Sequence, residues 1–210
     1  MARWVVVEPP GRLSIRALAE RDREESNGEL RTILLDHISE GSRDALLDVG
    51  GGTGQLTGTL SDIFGRVLVL DLDPGKLAYG RGLRPGVSFV RGGTQAIPVA
   101  DGRIGTLVSV AAFHHFPDQD GALDEMGRVL KPRGTLLLVE IDPSTIRGRI
   151  LSFTENRLAR AGSSFIAPAE LLEKVRGHGF LDARLDRTSR GYVVVATRGE
   201  DGPSEPAKAL

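Results

Sequence analysis

Three groups of side chains in this 210-residue chain could do chemistry. The first is Asp48, which ends a short apolar run (Ala45 to Leu47, then Val49 just past it) and is followed by Gly50, Gly51, Gly52 and Gly54. Such glycines adopt backbone angles closed to other residues, and with no Cβ they let a ligand lie against the main chain. The second is Asp71, which ends another apolar run and lies 21 positions after Gly50. An acid at about that distance from a glycine turn hydrogen-bonds a ribose hydroxyl pair, because one carboxylate can accept from both hydroxyls. The third is the pair His114 and His115. A neutral imidazole there could take a proton from a hydroxyl or an acidic carbon. Glu140 and Asp142 are secondary candidates for that task, whereas His37 and His178 read as helix-end or surface residues. Each feature also has a plainer reading: a glycine turn of some other α/β protein, a strand-end acid capping a loop, a histidine packed under a loop.

The elements that would position these groups follow from the apolar pattern. Ala45 to Val49, Arg66 to Asp71, Val87 to Val90, Ile104 to Val110 and Thr135 to Glu140 read as buried strands. Between them, Gln55 to Phe64, the stretch opened by Asp73-Pro74 and Asp120 to Leu130 read as helices, with Asp73 as N-cap and Pro74 at the first helical position. Lys131-Pro132-Arg133-Gly134 reads as a helix-to-strand turn. Pro168 to His178 is a further helix, and Ala183 to Thr188 with Gly191 to Thr197 pair as an antiparallel end of the sheet. A helix from Gly28 to Ile38 has Leu30, Ile33, Leu34 and Ile38 on one face and Asn27 as a candidate N-cap. Arg12 to Glu25 is a weaker amphipathic helix, open to two readings: packing on the sheet edge, or a lid over the site. Strand, glycine turn and helix together announce an open α/β sheet whose ligand sits at the carboxyl ends of the strands, with helix N–H groups free for an anion.

Composition narrows the function. Lys+Arg is 27 against Asp+Glu 28, a balance that argues against a general nucleic-acid surface. The chain has no cysteine, which removes disulfides, cysteine metal sites and thiolate chemistry. No ligand cluster suggests a metal. No apolar run approaches a membrane span, and Trp4 to Val7, stopped by Glu8-Pro9-Pro10, is too short for a signal-peptide core. A cytoplasmic location without membrane attachment is expected. The dinucleotide fingerprint G-x-G-x-x-G fails at Gln55 when begun at Gly50, and at Thr57 when begun at Gly52.

Asp48 to Gly54 instead reads D-x-G-x-G-x-G. That spacing resembles motif I of the class I S-adenosylmethionine-dependent methyltransferases. Further matches run downstream: Ile97-Pro98 with Asp101-Gly102 resembles the family's L-P-x-x-D segment, Phe113 to Asp118 its L-H-H-x-x-D ending after strand four, and Arg128 to Gly134 its R-V-L-K-P-x-G turn. The resemblance covers Leu46 to Gly134 by motif and extends to Arg198 by order of elements. It points to the small-molecule branch, the methyltransferase type 11 group with the ubiquinone and menaquinone methyltransferases. The resemblance implies S-adenosyl-L-methionine as cofactor and S-adenosyl-L-homocysteine as product. Asp48 would lie near the methionine amino group, Gly50, Gly51, Gly52 and Gly54 along methionine and ribose, Asp71 at the ribose and Leu72 at the adenine. Ala111, ending strand four, would pass the methyl group. Two acids usual in the family are glycines here, Gly93 and Gly105, leaving Thr94, Gln95 or backbone groups to read the adenine.

The expected architecture is a Rossmann-like, mostly parallel seven-stranded α/β sheet with helices on both faces and an antiparallel last strand. The arm and helices over 1–41 precede a methyltransferase domain over 42–198, which carries a cap insertion at about 143–167, and a disordered tail spans 199–210. The expected function is in-line methyl transfer to a small-molecule acceptor, with His114 or His115 as base where one is needed; at most one of them is expected to face substrate. Two alternatives stay open: a protein that keeps the fold and acts as a non-catalytic or regulatory partner, and a nicotinamide-dependent oxidoreductase. A homodimer is compatible with the arm Trp4 to Val7.

Overall fold

The computed structural model describes residues 27–145, 164–189 and 191–200. The arm Trp4 to Val7, the helix expected over Arg12 to Glu25, most of the insertion and all but the first residues of the tail lie outside the described residues. Helix α1 covers 27–37. Then follow β1 (Leu46–Val49), β2 (Val67–Asp71), α2 (Pro74–Leu83), β3 (Ser88–Arg91), β4 (Ile104–Val110), α3 (Gln119–Val129), β5 (Leu130–Glu140), α4 (Pro168–Gly177), β6 (Phe180–Arg187) and β7 (Tyr192–Arg198). The seven strands form one sheet in the order β3-β2-β1-β4-β5-β7-β6. All pairings from β3 to β5 are parallel, and β7 runs antiparallel to both its neighbours. The expected sheet is the observed one.

Side chains alternate across this sheet with the period of two that a strand dictates. Leu136 and Leu138 of β5 and Tyr192, Val194 and Ala196 of β7 join the core under α3 and α4, through Leu123, Met126, Leu171 and Val175. Leu137, Val139, Val193 and Val195 point to the other core, under α1 and α2, where Leu34, Ile38, Leu60 and Leu77 are buried. Both faces are therefore covered, and the central strands read as continuous apolar runs for that reason. The chain winds outward from β1 to β3, then returns to place β4 on the other side of β1. The reversal leaves a crevice at the carboxyl ends of β1 and β4.

Three local readings differ from the structure. Gln55 to Phe64 is not an α-helix: Thr57–Leu60 is a 3-10 turn flanked by other turns. The hydroxyls of Thr59 and Ser61 bond back to the carbonyls of Leu56 and Gly58, competing with a helix ladder that Gly58 already weakens. The Lys131 to Gly134 turn is absorbed into β5 as an irregularity, where the register jumps from Ile104–Leu130 to Thr106–Thr135 and Arg133 takes φ 60. Asn27 is itself helical rather than a cap.

Candidate active site

Four chain segments meet at the crevice. The glycine turn after β1 is tied to β2, with the Gly50 and Gly51 amides donating to the Leu70 carbonyl at 2.8 and 3.3 Å. Its glycines are required for different reasons. Gly50 has φ 78, and a Cβ there would stand 2.6 Å from the Ala112 Cβ, so the turn after β1 and the turn after β4 touch. A Cβ on Gly51 would fall 2.4 Å from the Asp48 carboxyl carbon. Gly54, with φ 67, packs on the Phe89 ring and Val69. Gly52, at φ 58, is the roomiest of the four, with nothing closer than the Lys76 side chain at 3.6 Å.

Asp71 is half-buried at the end of β2 and holds two loops at once. One carboxylate oxygen accepts the Gly52 amide at 2.9 Å and the other the Asp73 amide at 2.8 Å. Each oxygen keeps lone-pair capacity for a further donor. Asp73 caps α2 by accepting from the Gly75 and Lys76 amides, as its position before Pro74 predicts. Asp48 lies beneath the glycine turn, 3% exposed. The Thr57 hydroxyl donates to its Oδ2, while Oδ1 is buried with no hydrogen-bond partner among the described residues. Burial, with Asp71 nearby, pushes its carboxyl up to about 6 although the Thr57 bond pulls the other way.

These segments enclose a cleft of about 460 Å³. Gly50, Asp71, Leu72, Thr94, Gln95, Ala111 and His115 line it. Asp48, Gly51, Gly52, Gly54 and His114 stand behind that lining. The two histidines sit on a 3-10 turn, Phe113–His115, with ring centroids 4.1 Å apart. They face different ways. His115 is exposed to the cleft, whereas His114 is 2% exposed, with Nδ1 2.6 Å from Glu140 Oε2. Asp142, the other secondary candidate, is held by the Ser144 amide and hydroxyl and by Arg187. His37 and His178 pair with acids away from the cleft, His37 with Asp186 and His178 with Asp120 and Asp124.

The glycines aligned with family acids differ in place. Gly105 is at the amino end of β4, remote from the cleft, and a Cβ there would fall 2.4 Å from the Ser42 carbonyl oxygen. Its glycine answers a packing demand and has no bearing on the cleft. Gly93 lies in the cleft, and a Cβ there would stand 3.4 Å from Gln95 Oε1 and 3.9 Å from Leu72 Cδ2. The Gln95 amide oxygen thus reaches the space beside position 93. The cleft also holds residues that sequence reasoning passed over: Lys76, Ala112, Phe116 and Pro117. Lys76 was findable in the first turn of a helix that starts three residues after Asp71. Phe116 was not, because the 3-10 turn before it sets where its ring goes.

Comparison with known proteins follows this geometry. Residues 47–138 match the family described as "Methyltransferase domain", type 11. Residues 47–138 are thus similar to a methyltransferase domain. It is 31% identical over 157 residues to a malonyl-[acyl-carrier protein] O-methyltransferase of Methylococcus capsulatus, covering 71% of this chain and 57% of that one. It is 32% identical over 126 residues to the ubiquinone/menaquinone biosynthesis C-methyltransferase UbiE of Legionella pneumophila, covering 56% and 50%. The chain thus spans about half the length of these relatives. An S-adenosylmethionine-dependent methyltransferase from Thermotoga maritima superposes with TM-score 0.71 at 17% identity, over 87% of this chain and 96% of that one. A chain from the complex of the Haloferax volcanii Trm112 methyltransferase activator with a methyltransferase superposes with TM-score 0.70 at 20% identity, over 87% and 95%. These two likenesses concern the fold. Among the described residues no helix is long and apolar enough to cross a membrane.

Proposed function

We propose that this chain binds S-adenosylmethionine in the cleft and transfers its methyl group to a small-molecule acceptor. The observation that carries the reading is Asp71: a carboxylate at the end of β2, next to the strand that borders the switch point, pinned by amides of two loops and open to the cleft. The ribose hydroxyls are the donors it suits. Leu72, 64% exposed, would lie against the adenine. Gln95 Oε1, beside Gly93, would accept from the adenine amino group with Thr94 adjacent, in place of the acid usual in the family. Asp48, with one oxygen lacking a partner among the described residues, suits the methionine ammonium beneath the glycine turn of Gly50, Gly51, Gly52 and Gly54. Ala111 marks the methyl end.

The cofactor supplies an already activated methyl on a sulfonium. What the chain supplies is alignment and exclusion of water. Of the two histidines, His115 is the one placed to take a proton from an acceptor, because His114 is turned onto Glu140. The insertion over about 143–167 is read as the cover of the acceptor side. Support comes from its last described residues: the Ser164 amide donates to the His114 carbonyl at 2.8 Å, and the Phe165 ring stacks on His114 at 4.2 Å.

Titration calorimetry of the full chain with S-adenosylmethionine and S-adenosylhomocysteine, on wild type and Asp71→Ala, tests the reading. Binding to wild type that falls about 100-fold in the variant supports cofactor and site together. Failure of folded wild type to bind either compound overturns it. The acceptor screen then starts from the chemistry named for the relatives, malonyl-acyl-carrier-protein oxygen and the carbon acceptors of ubiquinone and menaquinone biosynthesis.

A further inference from the structure

The end of β5 reaches across to the turn that carries His115. Glu140 is 4% exposed, and both of its oxygens are engaged by consecutive residues of that turn. The Phe113 amide donates to Oε1 at 2.9 Å, and His114 Nδ1 lies 2.6 Å from Oε2. The residue that begins the turn is under strain: Ala111, a cleft residue with a Cβ, takes φ 47. Strain of this kind persists only where the surroundings over-determine it. They do so here. The Ala111 amide donates to the Val139 carbonyl at 2.8 Å, and the Gln119 side-chain amide reaches the Phe113 carbonyl at 3.3 Å. On the far side Phe165 stacks on His114, and the buried Tyr192 hydroxyl fixes the next residue by donating to the Ile166 carbonyl at 2.8 Å.

A buried carboxylate whose bonds run to two adjacent donors makes a stiff link. The turn cannot shift without leaving that carboxylate without its partners, which is costly inside a protein. His114 then serves as the spacer: one side of its ring lies on Phe165, and the His115 ring sits 4.1 Å away, tilted by 49°. We infer that Glu140 is the positioning residue of this site, acting through Phe113 and His114 to hold Ala111 and His115 in the wall of the cleft. The inference rests on the cofactor reading for the meaning of that wall, and not for the contacts themselves. Glu140 touches neither the cleft nor a reactant; its effect passes entirely through the turn.

The experiment is NMR of the full chain with 13C-labelled histidine. The chain has 4 histidines, so the Cε1–H signals are few, and His37 and His178 serve as internal controls. The variants are Glu140→Gln, which keeps the shape and turns an acceptor into a donor toward His114, and Glu140→Asp, which keeps the charge and withdraws it by one methylene. The expected result is a displaced and broadened His115 signal in both variants without ligand, with His37 and His178 unmoved. Adding S-adenosylhomocysteine should move the His115 signal in wild type and no longer do so in the variants. A lower melting temperature with the His115 signal at its wild-type place would overturn the inference, reducing Glu140 to a residue of the fold. Displacement by Glu140→Gln alone would also overturn it, since charge rather than placement would then be the cause. If S-adenosylhomocysteine does not bind wild type, the cofactor reading fails, while the ligand-free spectra still decide the role of Glu140.

Discussion

The acids that end β1 and β2 and those around Arg128 are treated in opposite ways. At the carboxyl ends, Asp48 and Asp71 make no ion pair among the described residues; amides and one hydroxyl are their donors, and one Asp48 oxygen has none. At the amino end of β4, Arg128 closes α3 against the loop that leads into that strand, and each of its donors has a target. Its guanidinium reaches both oxygens of Glu125, the carbonyls of Ile97 and Val99, and Asp101. Glu125 in turn accepts the Ile97 amide at 2.7 Å. The Arg128 hydrogen bond holds the Glu125 carboxyl below its usual range, whereas burial holds Asp48 above its own. The Arg128 cluster matches each guanidinium donor to an acceptor; the cleft leaves acceptor capacity unspent on Asp48.

Breaking the comparison at the Arg128 cluster should give the largest effect on stability. Arg128→Met strips the guanidinium from two carboxylates and two carbonyls, at a cost of about 3 kcal/mol. Calorimetry should show the melting temperature falling by roughly 6–12 °C for a chain of this size, with the affinity for S-adenosylhomocysteine unchanged. Equal losses of both would mean that the cluster and the cleft are not separable.

Asp48→Asn should do the reverse. The folded-state pKa of Asp48 is about 6 against an ordinary 3.8. A carboxyl raised on folding contributes its stability at low pH, and that contribution is lost as pH rises through the folded value. The wild type therefore carries a penalty of about 3 kcal/mol above pH 6, and none below its unfolded value. Thermal melts should show the variant gaining stability at pH 7.5 and nothing at pH 4, while its cofactor affinity drops. A variant no more stable at pH 7.5 would show that Asp48 is solvated after all.

The glycines sharpen the contrast. Gly50→Ala places a side chain at φ 78 and 2.6 Å from Ala112. It should cost about 2 kcal/mol and weaken cofactor binding, because it pries apart the turns that face the cleft. Gly105→Ala, driven against the Ser42 carbonyl, should cost a similar amount and leave binding alone. Paired melts and calorimetry on the two variants read this difference directly.

The smallest effect should come from Glu125→Gln. A depressed carboxyl contributes stability above its unfolded value and loses it as pH falls through the folded one. Only about 1 kcal/mol is expected, because the glutamine oxygen still accepts from Arg128 or the Ile97 amide. The gap from wild type in urea titrations should be present at pH 7 and close as pH falls below the ordinary carboxylate range.

Much of the fold was legible because the relevant forces are local and periodic. Strands buried on both faces must be continuous apolar runs, so Leu46–Val49, Val67–Asp71 and Ile104–Val110 stand out of the chain without help. Asp73 before Pro74 declares a helix start by its own hydrogen bonds. The spacing from Gly50 to Asp71 places an acid beside the switch point, because the length of one strand-turn-strand excursion sets that distance. The Gln55 to Phe64 stretch was misread because its hydroxyls compete with the ladder at a scale that periodicity does not register.

Tertiary structure decided the rest, for a physical reason that recurs. Whether a glycine is needed depends on what stands opposite: Ala112 for Gly50, the Asp48 carboxyl for Gly51, Phe89 for Gly54, Ser42 for Gly105. None of those neighbours is adjacent in the chain. Which of two consecutive histidines faces the cleft depends on Glu140, 26 residues away on another strand. The sequence by itself determined that an open sheet would present two acids and a glycine turn at one edge. Only the packing of β5 against the end of β4 decided which side chain enters the cleft beside them, because a side chain's direction is set by the partners that its neighbours find in space.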